Sequence, residues 1–261
     1  MEFAPEDGGK PAQEYGRGEP RGPAAPARQF FATAPVPCPY LAGRAERKLI
    51  VELSGAGAAR FYDNLSRAGF RRSHRFAYRP ACHGCSSCVP VRIAVDRFCD
   101  SRSTRRIRNS SRDLSAHAAA AQASVEQFRL FLAYQHSRHA DSDMASMDYG
   151  DYRGMVEDSA VRSEVVEFRD ARETLLAVSL IDQLDDGVSA VYSFFDPRQD
   201  KRSLGTWSIL WLVEECRRRS LPHVYLGYWI AESPKMAYKA RFAGLERLNP
   251  GGWAPFGTEL G

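Results

Sequence analysis

The chain has 261 residues, of which 44% are hydrophobic, and a formal net charge of +4 at pH 7, so it can bury the core of one large domain or two modest ones. No apolar run approaches the roughly 18 residues of a membrane-spanning helix, and no short apolar stretch follows a basic N-terminus as in a secretory signal, which argues against membrane and secreted proteins. We therefore expect a cytoplasmic protein, whose six cysteines are metal ligands or buried thiols rather than disulfides.

Basic and acidic residues are unevenly distributed along the chain. Residues 29–120 contain 16 Lys and Arg against 6 Asp and Glu, a net charge of +10, whereas residues 121–261 contain 16 against 21, a net charge of −5. Nearly all basic residues of the first segment are arginine, which pairs with phosphate and stacks on bases. This asymmetry predicts a basic N-terminal domain over 29–120 that faces a polyanion, followed by a second domain over 121–261. An ordinary solvated arginine surface is the alternative.

The first part of the chain is predicted to hold a tail, a helix and two short strands. Residues 1–28 contain five Pro and five Gly with little bulky apolar content, which predicts a disordered tail. Residues 58–68 have a helical apolar face and end at Gly69. Residues 74–79 and 89–95 alternate enough to predict two strands that form a hairpin around a cysteine-rich segment.

That segment, Cys82-His83-Gly84-Cys85-Ser86-Ser87-Cys88, places three cysteines at two-residue spacing. Such a step lets two thiolates reach one metal from a tight turn, and its repetition adds a third ligand. Cys38, held extended between two prolines, is the predicted fourth ligand. Four cysteines suit zinc or an iron–sulfur cluster, and the spacing leaves both open. His83 in place of one thiolate, or a packed hairpin of reduced cysteines without a metal, are the alternatives.

The segment 101–112 is rich in arginine and contains only one apolar residue, Ile107. It is the densest candidate for phosphate contacts in the chain. A flexible interdomain linker is the alternative interpretation. The arginines are Arg102, Arg105, Arg106, Arg108 and Arg112.

The second half is predicted to alternate helices and strands. Ser124 and Gln127 form a capping-box pattern, and Asp185-Asp186-Gly187 is a hairpin signal. The predicted order is helices at 124–139 and 148–157, strands at 164–168, 174–184 and 188–195, a helix at 204–219, a strand at 223–230, a helix at 235–242 and an edge strand within 245–256. This order predicts an α+β fold in which an N-acetyltransferase-like (GNAT) domain follows a small cysteine-rich N-terminal domain.

Several separate motifs give the chain a resemblance to a known family. They are Cys38-Pro39-Tyr40-Leu41, Tyr78-Arg79-Pro80 with the three cysteines and Val89-Pro90-Val91-Arg92, Tyr192-Ser193-Phe194-Phe195-Asp196-Pro197, Ser203-Leu204-Gly205-Thr206, Tyr225-Leu226-Gly227-Tyr228-Trp229-Ile230, and Lys235-Met236 with Tyr238-Lys239. In this order, over about residues 29–256, they resemble the aminoacyl-tRNA–protein transferases. Within that family the chain is most similar to the bacterial aspartate/glutamate leucyltransferases, which are related to the arginyltransferases.

The resemblance implies an aminoacyltransferase that moves leucine from leucyl-tRNA to the N-terminal Asp or Glu of acceptor proteins and so marks them for degradation by the N-end rule pathway. Arginyl transfer from arginyl-tRNA to the same acceptors is the first alternative. An acyl-CoA-dependent N-acetyltransferase of the same fold is the second, and an RNA-binding metal module without enzymatic activity is the third. The implied partners are charged tRNA and acidic N-termini, with no membrane, and we expect a monomer.

An acidic acceptor requires a cationic clamp, for which a planar guanidinium is well suited. Arg79 and Arg92 beside the cysteines, with Arg75 behind them, are the predicted clamp. Surface pairing of these arginines with Asp96 or Asp63 is the alternative.

The start of the helix after the third strand is the second predicted substrate contact. Its backbone N–H groups are predicted to receive the terminal phosphate or ribose of the tRNA. Trp207 stands where a coenzyme A loop needs a small residue, so no coenzyme A is expected, although Trp207 also fits a core position. The predicted contacts are Arg202, Ser203, Gly205 and Thr206.

Two tyrosines and two lysines complete the predicted site. Tyr192 and Tyr228 are candidates for protonating the leaving oxygen or holding the ester carbonyl, with a structural role in the strands as the alternative. Lys235 and Lys239 lie one helical turn apart and are predicted to follow the acceptor stem, with a solvated helix face as the alternative.

Overall fold

The structure of the chain is a computed structural model that describes residues 28–257, so the tail predicted for residues 1–28 lies outside the described residues except for Arg28. The strands are β1 (Phe30–Ala32), β2 (Val36–Pro37), β3 (Ala45–Glu46), β4 (Lys48–Glu52), β5 (Arg71–Ser73), β6 (Phe76–Pro80), β7 (Val89–Ala94), β8 (Ser115–Ala120), β9 (Ser163–Arg169), β10 (Leu175–Leu184), β11 (Gly187–Phe195), β12 (His223–Trp229), β13 (Leu245–Asn249) and β14 (Gly252–Pro255). The helices are α1 (Ala58–Arg67), α2 (Arg102–Ser110), α3 (Val125–Arg138), α4 (Tyr149–Glu157), α5 (Leu204–Arg218) and α6 (Pro234–Ala237), with 3₁₀-helices at Asp143–Ser146, Pro197–Arg202 and Tyr238–Arg241.

An eight-stranded sheet forms the centre of the molecule, in the order β14-β13-β7-β12-β11-β10-β9-β8. Its neighbouring strands are antiparallel except β11 and β12, which are parallel and are connected through α5. Parallel neighbours need a crossover of this kind, usually a helix. The fold is therefore mixed α/β around one large sheet, as the predicted order of elements indicated. No helix within residues 28–257 is long and apolar enough to cross a membrane.

Both faces of this sheet are covered by helices. Val166 and Phe195 pack into the cluster that contains α5 and Ile107 of α2, whereas Val165 and Phe194 pack into the cluster that contains residues of α3 and α4. Successive residues of a strand point to opposite faces, so neighbouring apolar residues serve both layers. Each large apolar side chain that is fully buried here contributes roughly 1.5–3 kcal/mol to stability.

A smaller four-stranded sheet, in the order β1-β4-β6-β5, packs with α1 against one end of the large sheet. Its core contains Leu53 and Tyr62, and it is closed by Leu184 of β10 and Tyr225 of β12. The buried pair of Arg72 in β5 and Asp182 in β10 adds a polar connection between the two sheets. These contacts fix β5 beside the junction of β10, β11 and β12.

Three expectations about the first part of the chain need correction. The strands around the cysteines do not form a hairpin, because β6 pairs with β4 and β5 whereas β7 lies between β12 and β13. The arginine-rich segment is not a linker, because it forms α2, which Ser101 caps by accepting from the N–H of Thr104. The large sheet also crosses the domain boundary predicted at residue 120, since β7 and β8 belong to it.

Most predicted elements of the second half are confirmed. Ser124 and Gln127 form the capping box that opens α3, and a two-residue turn at Asp185 and Asp186 joins β10 to β11. The helix predicted at 235–242 is shorter, because α6 has four residues and is continued by a 3₁₀-helix. The last segment forms two paired strands, β13 and β14, rather than one edge strand.

We expect Gly187→Ala to lower the free energy of unfolding by about 1–3 kcal/mol, the usual cost of overpacking. A Cβ atom at Gly187 would collide with the main-chain oxygen of His223, where β11 and β12 begin to pair. Gly154→Ala in α4 is the matched control, because a Cβ there meets nothing within 4 Å. Urea denaturation of both variants tests this, and equal stability of Gly187→Ala and the wild type would contradict it.

Candidate active site

The central feature of the site is an opening between β11 and β12. The two strands pair only from Gly187 to Ser189 and from His223 to Tyr225, and then diverge. Each strand has an extra residue near the point of divergence: Val191 is unpaired with β10, and Leu226 is unpaired with β7. Bulges of this kind bend a strand and occur often beside active sites. Beyond this point, main-chain polar groups of both strands lack a partner across the β11–β12 ladder.

Arg71 of β5 reaches into this opening. Its Nη1 donates to Ser189 Oγ at 3.0 Å, and its Nη2 donates to the main-chain oxygen of Ala190 and, at 3.4 Å, to that of Val191. On the other side, a Cβ at Gly227 would lie 2.8 Å from Arg71 Nε, and Gly227 has φ of +75°, which other residues seldom adopt. Glycine at this position leaves room for the guanidinium between the two strands.

Lys239 lies next to Arg71 and is only 6% exposed. Its Nζ donates to the main-chain oxygen of Tyr228 at 2.6 Å and lies 3.6 Å from Met236 Sδ. Burial, and then the charge of Arg71, lower the pKa of Lys239 to about 7. The prediction that Lys239 lies on an exposed face along the acceptor stem is therefore wrong. Lys235 is exposed, as predicted, and its Nζ lies 3.3 Å from His139 Nδ1.

Tyr192 stands on β11 just beyond the bulge. Gln135 of α3 donates from Nε2 to Tyr192 Oη at 2.6 Å, and Gln135 itself is fully buried. Burial raises the pKa of Tyr192 to about 12, so the phenol keeps its proton at neutral pH. Because the amide of Gln135 donates into the phenolic oxygen, the hydroxyl proton is directed elsewhere. Gln135 thus holds the phenolic oxygen of Tyr192, on a strand that borders the opening.

The hydroxyl of Tyr228 is bonded to main-chain oxygens of the protein, which does not fit its predicted role as a proton donor to the substrate. Its hydroxyl lies 3.0 Å from the main-chain oxygen of Gly69 and 3.2 Å from that of Tyr78, both outside the opening. Burial raises its pKa. Tyr228 therefore anchors β12 to the small sheet, which is the structural alternative considered for it.

The three arginines of the predicted clamp lie on different strands or loops and differ in whether their guanidinium groups are already bonded within the protein. Arg92 is committed to Glu246, with Nε 2.8 Å from Oε2, and its guanidinium lies over Trp253. Arg75 is exposed and pairs weakly with carboxylates of the surface, at 3.6 and 4.0 Å. Arg79 is exposed and donates to a main-chain oxygen of α1's C-terminal end at 3.2 Å. Because its guanidinium is bonded to Glu246, Arg92 is not free to bind a substrate. The groups that the three arginines contact are not Asp96 or Asp63, the partners considered as alternatives.

The predicted tRNA contacts at the start of α5 lie together. Ser203 has φ of 54° and precedes the helix without a side-chain cap, so the first N–H groups of α5 are not capped by its hydroxyl. Arg202 Nη2 pairs with Asp113 at 2.5 Å, and Gly205 packs against Phe195. Trp207 packs against the main core, in line with the core alternative. Thr206 lies in the first turn of α5.

The four predicted cysteine ligands gather beside Tyr40 but do not form a ligand set. Burial and then the neighbouring Cys82, Cys38 and Cys85 raise the pKa of Cys88 to about 12. Arg44 Nη1 donates to Cys85 Sγ at 3.3 Å, and the N–H of Arg47 donates to Cys82 Sγ at 3.4 Å. Within residues 28–257, however, no three His, Cys, Asp or Glu side chains are arranged to hold a metal ion. A metal or cluster on these cysteines therefore stays a prediction.

Two residues of the site, Arg71 and Gln135, were not identified from the sequence. In the sequence, Arg71 is one of four arginines between residues 71 and 79, and Gln135 lies inside the helix predicted at 124–139. The only sequence signal for Arg71 is a distant one, the glycine at position 227 inside an otherwise bulky strand, which marks a close approach of another group.

We expect Lys239→Met to raise the free energy of unfolding near pH 7 by about 1–3 kcal/mol, because the buried ammonium is costly and the orphaned oxygen of Tyr228 offsets only part of the gain. The folded pKa of about 7 lies below the ordinary 10.5, so the unfolded chain binds more protons between these values. Wild-type stability should therefore rise with pH across that interval, and the advantage of the variant should shrink. Urea denaturation across the interval checks this, with Lys235→Met as the exposed control.

Comparison with known proteins agrees with the motifs. The family descriptions that match are "Arginine-tRNA-protein transferase, N terminus" over residues 36–106 and "Arginine-tRNA-protein transferase, C terminus" over residues 126–249. The chain is 56% identical over 227 residues to an aspartate/glutamate leucyltransferase of Paramagnetospirillum magneticum, covering 87% of this chain and 93% of that one. It is 54% identical over 237 residues to the protein of the same name from Rhodospirillum rubrum, covering 90% and 96%.

Solved structures are more distant. The match to FemX has 7% identity and a TM-score of 0.42, and it covers 70% of this chain and 63% of FemX. The match to L-PGS from Bacillus licheniformis has 10% identity and a TM-score of 0.41, and it covers 55% of this chain and 47% of L-PGS. The sequence relatives, by contrast, match nearly the whole described chain at more than half of the aligned positions. The chain therefore belongs to the arginine-tRNA-protein transferase family, in the branch of the bacterial aspartate/glutamate leucyltransferases.

Proposed function

We propose that this protein transfers leucine from leucyl-tRNA to the N-terminal Asp or Glu of acceptor proteins, which marks them for degradation by the N-end rule pathway. The observation that carries the proposal is the identity of 54–56% to two aspartate/glutamate leucyltransferases over about nine-tenths of each chain. An aligned region that covers 90% of the chain necessarily includes β11, β12 and the helix between them. The proposal makes the protein an aminoacyltransferase whose partners are a charged tRNA and an acidic N-terminus.

The chemistry requires little activation. The neutral α-amine of the acceptor attacks the ester carbonyl carbon, a C–N bond forms, the ester C–O bond breaks, the amine loses a proton and the ribose oxygen gains one. An α-amine has an unperturbed pKa of about 7.7–8.0, so part of it is neutral at pH 7. Positioning of the two substrates and stabilisation of the developing negative oxygen therefore supply most of the catalysis.

The opening between β11 and β12 is the proposed place of this reaction. The two parallel strands separate there, and the guanidinium of Arg71 lies between them. Tyr192 is suited to donate its proton to the ester oxygen or to the leaving ribose oxygen, because Gln135 holds its phenolic oxygen from behind. Tyr192 keeps its predicted catalytic role in this proposal, whereas Tyr228 does not.

The proposed tRNA surface begins at α2. Four of its segment's five arginines are exposed, and only Arg108 is committed, to Asp100 and Glu214. Exposed arginines in such a row suit phosphate contacts. The start of α5 and Lys235 are the proposed contacts for the terminal nucleotide and the acceptor stem, as predicted from the sequence. The exposed arginines are Arg102, Arg105, Arg106 and Arg112.

The test is transfer of radiolabelled leucine from leucyl-tRNA to matched peptides that begin with Glu, Asp, Arg or Ala. Label on the Glu and Asp peptides alone is the expected result. Arginyl-tRNA and acetyl-CoA, offered in parallel, examine the two enzymatic alternatives, since the family description names arginine. Label from arginine only, or acetylation without leucyl transfer, would overturn the proposal.

We also propose that the four cysteines near Tyr40 close on zinc or an iron–sulfur cluster, supported by the gathering of the other three thiols around Cys88. No reaction step is assigned to that group. Metal and acid-labile sulfide content of protein purified without oxygen tests the proposal, with Cys99→Ser as the control because Cys99 is exposed and lies outside the cluster. Metal-free wild-type protein, or equal metal in a Cys85→Ser variant, would contradict it.

A further inference from the structure

Two cations in the opening, Arg71 and Lys239, have no carboxylate partner among the described residues. Arg71 is bonded to a serine hydroxyl and main-chain oxygens, and Lys239 to a main-chain oxygen and a thioether. Buried charges are as a rule paired. Other largely buried arginines of this chain follow that rule in the pairs Arg72–Asp182, Arg92–Glu246 and Arg219–Glu215. The opening therefore has an excess of positive charge that the described chain does not neutralise.

We propose that Lys239, together with Arg71, binds the side-chain carboxylate of the acceptor's N-terminal Asp or Glu and so selects acidic acceptors. This inference rests on the proposed function and names the residues that give it its specificity. Asp and Glu differ from Asn and Gln chiefly by one negative charge. A desolvated cation distinguishes these pairs sharply, because an uncharged amide leaves the cation unpaired.

Burial makes this pair a better selector than the exposed arginines first considered. Arg75 is 52% exposed and already near two carboxylates, Arg79 is exposed, and Arg92 is held by Glu246. Charges in water attract weakly and are screened by salt, whereas the same contact away from water is much stronger. Burial, and then the charge of Arg71, lower the pKa of Lys239, and no acidic group raises it in return.

A carboxylate fits the position better than a phosphate of the tRNA. A phosphodiester carries a ribose on each side, whereas a carboxylate ends a single short side chain and can approach an ammonium that is 6% exposed. The exposed arginines of α2 provide a separate surface for the tRNA backbone.

The position also suits the reaction geometry. Arg71 is bonded to Ala190 and Val191, the two residues that precede Tyr192 on β11. An acidic side chain bound there holds the α-amine of the same residue near the diverging strands, where the ester is proposed to lie. The carboxylate contact therefore supplies orientation as well as selection.

The experiment compares leucyl transfer by the full-length wild type, Lys239→Met and Lys239→Arg to peptides that differ only in a first Glu or Gln. For Lys239→Met we expect kcat/KM with the Glu peptide to fall at least about 30-fold, the lower range for breaking a buried charge pair. The rate with the Gln peptide and the KM for leucyl-tRNA should stay as in the wild type. Lys239→Arg keeps the charge and should recover part of the Glu preference.

Lys235→Met is the matched control for selectivity. It removes the same charge from an exposed residue that we propose to contact the acceptor stem, so it should lower the rates with both peptides alike and leave the Glu to Gln ratio unchanged. Thermal unfolding confirms that each variant is folded. An unchanged ratio in Lys239→Met would overturn the inference while leaving leucyl transfer by the wild type intact. An equal loss with both peptides and a raised KM for leucyl-tRNA would also overturn it and assign the cations to a tRNA phosphate.

Discussion

Replacing Arg72 by methionine is expected to lower the free energy of unfolding by about 3–5 kcal/mol, the cost of breaking a buried ion pair from one side. Arg72 and Asp182 are both fully buried, and the guanidinium donates to the carboxylate through Nε and Nη2, each at 2.7 Å. Ser163 Oγ donates to the same carboxylate at 2.7 Å. The variant would leave a carboxylate without its counter-ion between the two sheets. Urea denaturation measures the loss.

The double variant Arg72→Met, Asp182→Leu serves as the control for this prediction. Removing both charges eliminates the uncompensated carboxylate, so the double variant should regain most of the stability that the single variant loses. If Arg72→Met alone matches the wild type, the ion pair does not join the two sheets in the way its geometry suggests.

Tyr192→Phe is expected to reduce the rate of leucyl transfer by about 10²-fold, at the low end of the range for a positioned proton donor. The variant removes the hydroxyl that we propose as the proton donor, whose oxygen accepts a hydrogen bond from Gln135. The aromatic ring stays, with its packing against Phe131 and Phe194, so stability should change little. Single-turnover transfer from leucyl-tRNA to a Glu peptide separates this chemical step from product release.

The control for Tyr192 is Tyr134→Phe. Tyr134 lies on the same helix as Gln135, is largely buried, and packs its ring against Phe195 and His139. It loses a hydroxyl from the same region but not from the strand that lines the opening, so its rate should equal that of the wild type. Equal rates for Tyr192→Phe and the wild type would exclude Tyr192 as the donor.

The elements of the second half were predictable because their signals are local. The capping box at Ser124 and the hairpin turn at Asp185 depend on residues a few positions apart, which interact before any tertiary contact forms. The helix α5 was predictable for a similar reason, since its apolar face recurs at helical spacing.

The roles of single charged residues were not predictable in this way. Arg92 and Arg79 look alike in sequence, yet a strand 154 positions away brings Glu246 to Arg92, while Arg79 stays exposed. Lys235 and Lys239 lie one helical turn apart in sequence, yet Lys235 is exposed whereas Lys239 is buried and bonded to the main chain of β12. Burial depends on what packs against a residue, which local spacing does not specify.

By itself, the sequence determined the family, the elements of the second half and the likeness to leucyltransferases, because motifs and periodicity are properties of neighbouring residues. Only the tertiary structure decided that β6 and β7 join different sheets, that the hydroxyl of Tyr228 bonds to the main-chain oxygens of Gly69 and Tyr78, and that Arg71 lies between β11 and β12. The physical reason is that strand pairing, desolvation and counter-ions are set by contacts between residues far apart in the chain, such as Arg71 with Ser189 and Gly227.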